Sequence, residues 1–154
     1  MRRKTVLGAL AAFFAGVVVC LAADPNMGTW KLNEAKSKFD PAGTKNTMVV
    51  YEAAGDAVKV TVDGVGADGK AVHSVWTGKY DGKDYAVVGD PTSDMRSYKM
   101  AGANTLELTG KKDGKVTVTG KIVMAADGKS RTVSTTATTA DGKKMSNTAV
   151  YEKQ

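Results

Sequence analysis

Asp113-Gly114-Lys115-Val116-Thr117-Val118-Thr119-Gly120-Lys121-Ile122-Val123-Met124-Ala125-Ala126-Asp127-Gly128-Lys129 is the stretch whose reading decides the fold. Between its two Asp-Gly-Lys tripeptides, Val116, Val118, Ile122 and Met124 alternate with Lys115, Thr117, Thr119 and Lys121. A period of two gives a strand one apolar and one polar face, and Gly120 reads as a bend within it. Asp-Gly is the preferred pair for a two-residue type I′ hairpin, which needs positive φ at both central positions. The same tripeptide recurs at 68–70, 81–83 and 141–143, so the sequence predicts the corners of one long antiparallel meander.

Working outward, strand-like runs fall at 27–32, 47–53, 57–63, 71–80, 83–88, 95–101, 105–111, 115–124, 130–139 and 145–153. Val58, Val60 and Val62 against Lys59, Thr61 and Asp63 give the cleanest alternation. Only Asn33–Asp40 has a helical look, ended by Pro41. An antiparallel sheet of this size with one apolar face closes to remove its edges. Because nearly all connections are local, the expected fold is all-β: an up-and-down meander of about eight to ten strands closed into a barrel, with a short helix after the first strand. A membrane barrel would need an outward apolar band with aromatic girdles. Here the face opposite the valines carries Lys and Thr, and aromatics are only 6% of the chain.

The first segment is expected to be removed. Arg2, Arg3 and Lys4 precede the apolar run from Val6 to Leu21, and small residues lead up to cleavage after Ala22. Residues 1–22 thus read as a signal peptide and 23–154 as a single barrel domain, periplasmic or secreted, with no transmembrane segment in the mature chain. Cys20 leaves with the leader, since three valines before it depart from a lipoprotein site. The mature chain then has no cysteine for a disulfide or a thiolate metal site. Its formal charge is +3, from 19 basic and 16 acidic residues, without a basic block or interleaved aromatics. Nucleic acid is not an expected partner, and the chain reads as a monomer.

Gly28-Thr29-Trp30 near the mature N-terminus is similar to the Gly-X-Trp of the lipocalin and fatty-acid-binding-protein (calycin) superfamily. Gly28-Thr29-Trp30-Lys31-Leu32 with Phe39-Asp40 resembles the opening of intracellular fatty-acid-binding proteins, and Val150-Tyr151-Glu152-Lys153 their closing strand. The mature chain as a whole resembles small exported bacterial lipocalin-like proteins, with the same Asp-Gly-Lys corners and a final Tyr151-Glu152-Lys153-Gln154. The resemblance implies a barrel that holds a small hydrophobic or amphipathic ligand, with Trp30 as the plug of its closed end. Two features depart from fatty-acid-binding proteins. Residues 33–45 have room for one short helix rather than a helix-turn-helix lid, and the arginine that precedes the ligand-binding tyrosine by two on their last strand is Ala149 here, although Tyr151 matches the tyrosine.

Candidate ligand-binding residues follow from which side chains share the inner face. The mature chain has 17 Lys but only two Arg, Arg96 and Arg131. Arg96 shares a face with Tyr98 and Met100, and Arg131 with Val133. A guanidinium inside the barrel could clamp a carboxylate or phosphate. The competing reading has one Arg stacked on Trp30 and the other paired with Asp94 or lying at the rim. Trp76, beside Ser74 and Val72 on one face, and Tyr51, beside Val49, are candidate cavity walls or plain core. His73 falls on the face opposite Trp76 and has no partner histidine or cysteine, so neither a metal site nor a catalytic pair is expected. The tripeptide corners have hairpin spacing, not that of calcium loops. No nucleophile–base pair or phosphate loop stands out, and no cofactor is expected. The function read from sequence is a small-molecule-binding barrel. The alternative is a non-enzymatic envelope structural or interaction module with a filled interior.

Overall fold

A computed structural model describes residues 24–41 and 43–154; the expected signal peptide and Cys20 lie outside the described residues. Ten strands run in chain order: β1 (Gly28–Lys38), β2 (Lys45–Ala54), β3 (Ala57–Val65), β4 (Ala71–Gly78), β5 (Tyr85–Val88), β6 (Met95–Gly102), β7 (Thr105–Lys112), β8 (Lys115–Met124), β9 (Ser130–Thr138) and β10 (Lys144–Lys153). Each pairs antiparallel with its sequence neighbours, and β1 pairs with both β2 and β10, so the sheet is a closed barrel. Closure leaves no long free edge for another chain to pair with. No helix among the described residues is long and apolar enough to cross a membrane.

The expected short helix after the first strand is absent from the described residues. β1 continues through Asn33–Lys38 as an irregular strand, with Asn33 opposite Val150 and Lys38 opposite Thr148. Local side chains take the groups a helix would have used. Asn33 Oδ1 accepts from the Lys36 N–H, and Ser37 Oγ donates to the Asn33 carbonyl and accepts from the Val150 N–H. Pairing with β10 overrides the weak helical pattern, and the surplus residues bulge outward.

The corners also differ from a uniform type I′ reading. Only Asp113-Gly114 has both central residues at positive φ (50° and 77°). At 68–70, 127–129 and 141–143 the glycine alone takes positive φ and its N–H closes back on the residue three earlier, a type I turn followed by a left-handed residue. In two of these corners the aspartate accepts from the N–H of the lysine two residues on: Asp68 from Lys70 and Asp127 from Lys129. The fifth tripeptide, 81–83, lies in the β4–β5 connection, where the Gly82 N–H bonds the Tyr98 carbonyl.

Antiparallel alternation puts the β1–β2, β3–β4, β5–β6, β7–β8 and β9–β10 loops at one end, and the start of β1 and the finish of β10 at the other. The latter end is filled. Trp30 is fully buried and donates its indole N–H to the Asn26 carbonyl at 2.8 Å. Trp76, Val60 and Leu106 are buried near the same end, each worth about 1.5–3 kcal/mol in apolar area removed from water. Inward parity holds along most strands and fails at the rims, where Val116 is 51% and Met100 42% exposed.

Candidate functional site

The other half of the barrel encloses a cavity of about 310 Å³. Val49 and Tyr51 of β2, Val62 of β3, Leu108 of β7, Ile122 of β8 and Val133 of β9 supply much of its wall, as period-two alternation requires. Gly43, Thr44, Ala67, Pro91 and Thr92 border it from the loops, so its mouth lies at the end away from Trp30. Its charged lining residues are Arg96, Asp90 and Arg131.

Arg131 sits at the deep end. It is only 2% exposed, and its guanidinium carbon lies 4.6 Å from the Trp30 ring centre, 4.7 Å from Tyr51 and 5.4 Å from Tyr151. Register explains part of this cage, because Arg131 is directly opposite Tyr151 in the β9–β10 ladder. Arg131 Nε and Nη1 have no hydrogen-bond acceptor. Burial pushes the Tyr51 hydroxyl up to about 12, although the Arg131 charge pulls the other way, and it raises Tyr151 too. Both rings are therefore neutral phenols at physiological pH. The Tyr151 hydroxyl donates to the Asn46 carbonyl at 2.8 Å.

Arg96 lines the cavity as well, but it is paired. Its Nη2 lies 2.5 Å from Asp90 Oδ2, with side-chain exposures of 13% and 12%. The partner is Asp90, not the Asp94 weighed from the sequence; Asp94 Oδ2 accepts from the Asp113 N–H instead. Burial lowers the Arg96 pKa, yet Tyr98 and Asp90 outweigh it and hold the guanidinium above its ordinary value. Asp90 is fixed from its other side by Thr92, whose N–H and Oγ1 both donate to Oδ1.

The structure therefore brings Arg96, Tyr98, Tyr51, Arg131 and Tyr151 to one cavity. Trp76 is placed outside its lining. Its ring is edge-on to Tyr98 at 4.7 Å and to Tyr85 at 5.8 Å, and its indole N–H donates to the Arg96 carbonyl. Trp30 underlies Arg131 at the filled end. His73 points outward and meets Asp63 at 2.6 Å across the β3–β4 ladder. No group of three or more His, Cys, Asp or Glu is arranged to hold a metal among the described residues.

Sequence reasoning did not single out Asp90, Asn46, Asn147 or Thr135, all of which line the cavity. The position of Asp90 in the longer 89–94 connection, just before Pro91, was the available signal. Thr135 shares the Arg131 and Val133 parity, which the Thr-rich run of β9 disguised.

No protein-family model and no curated protein matches the chain. Among solved structures it is similar to one described as EF1p2_mFAP2b bound to DFHBI, at 12% identity, covering 84% of this chain and 94% of that one, with a TM-score of 0.51. It is also similar to a redesigned β-barrel, mFAP1, bound to DFHBI, at 15% identity, with coverages of 84% and 95% and a TM-score of 0.48. The likeness is one of fold. It agrees with a closed antiparallel barrel.

Proposed function

We propose that the chain is an exported, monomeric carrier that holds a small amphipathic or lipid-like molecule inside its barrel. The observation that carries this reading is the 310 Å³ cavity, whose mostly apolar walls carry a few polar groups. Ligand sites have this composition, and their volumes begin at about 300 Å³. The fold neighbour bound to DFHBI supports it to the extent that a barrel of similar architecture holds a ligand. Apolar walls would supply affinity; Arg96, Tyr98, Tyr51, Arg131 and Tyr151 would orient a polar head. The alternative with a filled interior gains no support from this space.

Native mass spectrometry of the protein gently purified from its own host tests the reading. The expected result is a stoichiometric small-molecule adduct that organic solvent extracts. A protein that is empty there, and whose tryptophan emission is unchanged across a panel of amphiphiles, would contradict it.

A further inference from the structure

In the tripeptide at 81–83 the aspartate meets an aromatic side chain. Asp81 Oδ1 accepts from the Lys83 N–H at 3.0 Å, which fixes the carboxylate, and Oδ2 accepts from the Tyr85 hydroxyl at 2.8 Å. The Gly82 N–H bonds the Tyr98 carbonyl at 2.9 Å, so the segment is stitched to β6. Behind Tyr85 lies a row of touching rings. Trp76 is edge-on to Tyr85 with centroids 5.8 Å apart, and Tyr98 is edge-on to Trp76 at 4.7 Å. Both separations are those of direct aromatic contact. Gly78 makes room for the first, since a Cβ there would sit 2.6 Å from both rings. Trp76 and Tyr98 are buried and Tyr98 lines the cavity, whereas Tyr85 is partly exposed. The row therefore joins the cavity wall to a surface carboxylate.

We propose that Tyr98, Trp76 and Tyr85 form an electron relay that carries an oxidising equivalent from the cavity wall to the surface, where Asp81 takes the phenolic proton. The chemistry selects Tyr85 as the end point. A phenol that has lost an electron is a strong acid, so a tyrosine yields its electron readily only beside a base. Asp81 is that base. The Lys83 N–H, first, and the Tyr85 hydroxyl hold its pKa below the usual carboxylate range, and the bond to Asp81 raises that of Tyr85. The proton therefore stays on the phenol until oxidation. Other tyrosines are placed differently. The Tyr151 hydroxyl donates to the Asn46 carbonyl, a far weaker base. The buried Tyr80 hydroxyl, whose ring lies 6.2 Å from Tyr98, has no hydrogen-bond acceptor. The Trp76 indole N–H is likewise held by a carbonyl, that of Arg96, so oxidised Trp76 keeps its proton. A buried cation of this kind is costly, and electron transfer from Tyr85 removes it.

With a peroxyl radical as the oxidant, the step balances as follows. The radical draws one electron from Trp76 through the Tyr98 contact and, with a proton from water, leaves as a hydroperoxide. Tyr85 returns an electron to Trp76 and passes its hydroxyl proton to Asp81 Oδ2, which releases it to water. The net change is one hydrogen atom lost from the Tyr85 hydroxyl. Trp76 is restored, and the phenoxyl radical rests at the surface, away from whatever the cavity holds.

Laser photoionisation of the purified protein tests the relay. The flash ejects an electron from tryptophan, dissolved oxygen captures it as superoxide, and transient absorption follows the indole radical and the tyrosine phenoxyl. Part of the indole-radical signal should decay in step with a phenoxyl rise, at a rate independent of protein concentration and slower in heavy water. Tyr85→Phe keeps the ring on Trp76 and should abolish that rise while lengthening the life of the indole radical. Asp81→Asn retains an acceptor for the Lys83 N–H and should slow the rise severalfold. Trp30 is ionised by the flash as well, and the phase lost in Tyr85→Phe separates Trp76 from it. A phenoxyl rise of undiminished size in Tyr85→Phe, an Asp81→Asn protein as fast as the parent, or a rate that scales with concentration would overturn the relay. So would a parent protein in which no phenoxyl forms. The experiment contains no ligand, so its failure leaves the carrier reading where it stands.

Discussion

Removing one partner from the Arg96–Asp90 pair should be costly, and removing both should be much less so. The pair is short, at 2.5 Å, and each side chain is about nine-tenths covered, at 13% and 12% exposure. Stranding one charge of a buried pair costs about 3–5 kcal/mol. The residual exposure of both groups places this site near the lower end, about 3 kcal/mol. Asp90→Asn is the informative change, because Asn keeps an acceptor for the Thr92 N–H and hydroxyl and so preserves the loop while removing the charge. In a fold of this size, about 3 kcal/mol lowers Tm by roughly 6–12 °C. Urea unfolding of Asp90→Asn, Arg96→Met and the double variant measures the coupling. The double variant should lie well above the sum of the singles, recovering about 2 kcal/mol or more. Additive losses, or an Asp90→Asn protein within about 0.5 kcal/mol of the parent, would refute the claim that these charges see each other inside the barrel.

Other perturbations test separate parts of the structure. A Cβ at Gly78 would lie 2.6 Å from both the Trp76 and Tyr85 rings, so Gly78→Ala should cost about 1–3 kcal/mol and change the near-UV circular dichroism of that ring pair. An unaltered spectrum and stability would show that the rings are not packed there. Tyr51 should titrate near 12, as read by phenolate absorbance. Its pKa is raised on folding, so the stability linked to it is intact below about 10 and lost as pH climbs through the folded value. Tyr51→Phe should remove that part of the alkaline limb. Glu152 has its pKa lowered, first by the hydrogen bond from Asn33 and then by Lys36. The contribution of this carboxylate is present above the usual glutamate range and disappears as pH falls through its lowered folded value. Glu152→Gln should flatten the acid limb of a Tm–pH profile, and an unchanged limb would count against the contact.

What sequence made legible was parity. Val58, Val60 and Val62, or Arg131, Val133 and Thr135, need only the two-residue period to be assigned a common face, and the two candidate arginines do reach the interior on that logic. Parity says nothing of depth or of partners. Trp76 has the parity of a cavity wall, yet Tyr98 and Tyr85 cover it, because ring size and barrel tilt decide which inward groups remain uncovered. Arg96 finds Asp90 rather than Asp94 through the course of the 89–94 loop, which no local pattern specifies. The helix expected at Asn33–Asp40 failed for a similar reason: its competitor was the β10 ladder, more than a hundred residues away in sequence. The Asp-Gly-Lys corners marked where the chain reverses, but the turn type depended on how many residues each reversal contains.

Methyl NMR of the protein titrated with octanoate tests the binding-barrel account most directly. Shifts should concentrate at Val49, Val62, Leu108, Ile122 and Val133, which line the cavity, and spare the outward Val88 and Val123. Shifts confined to the outer face, or none at saturating ligand, would contradict it.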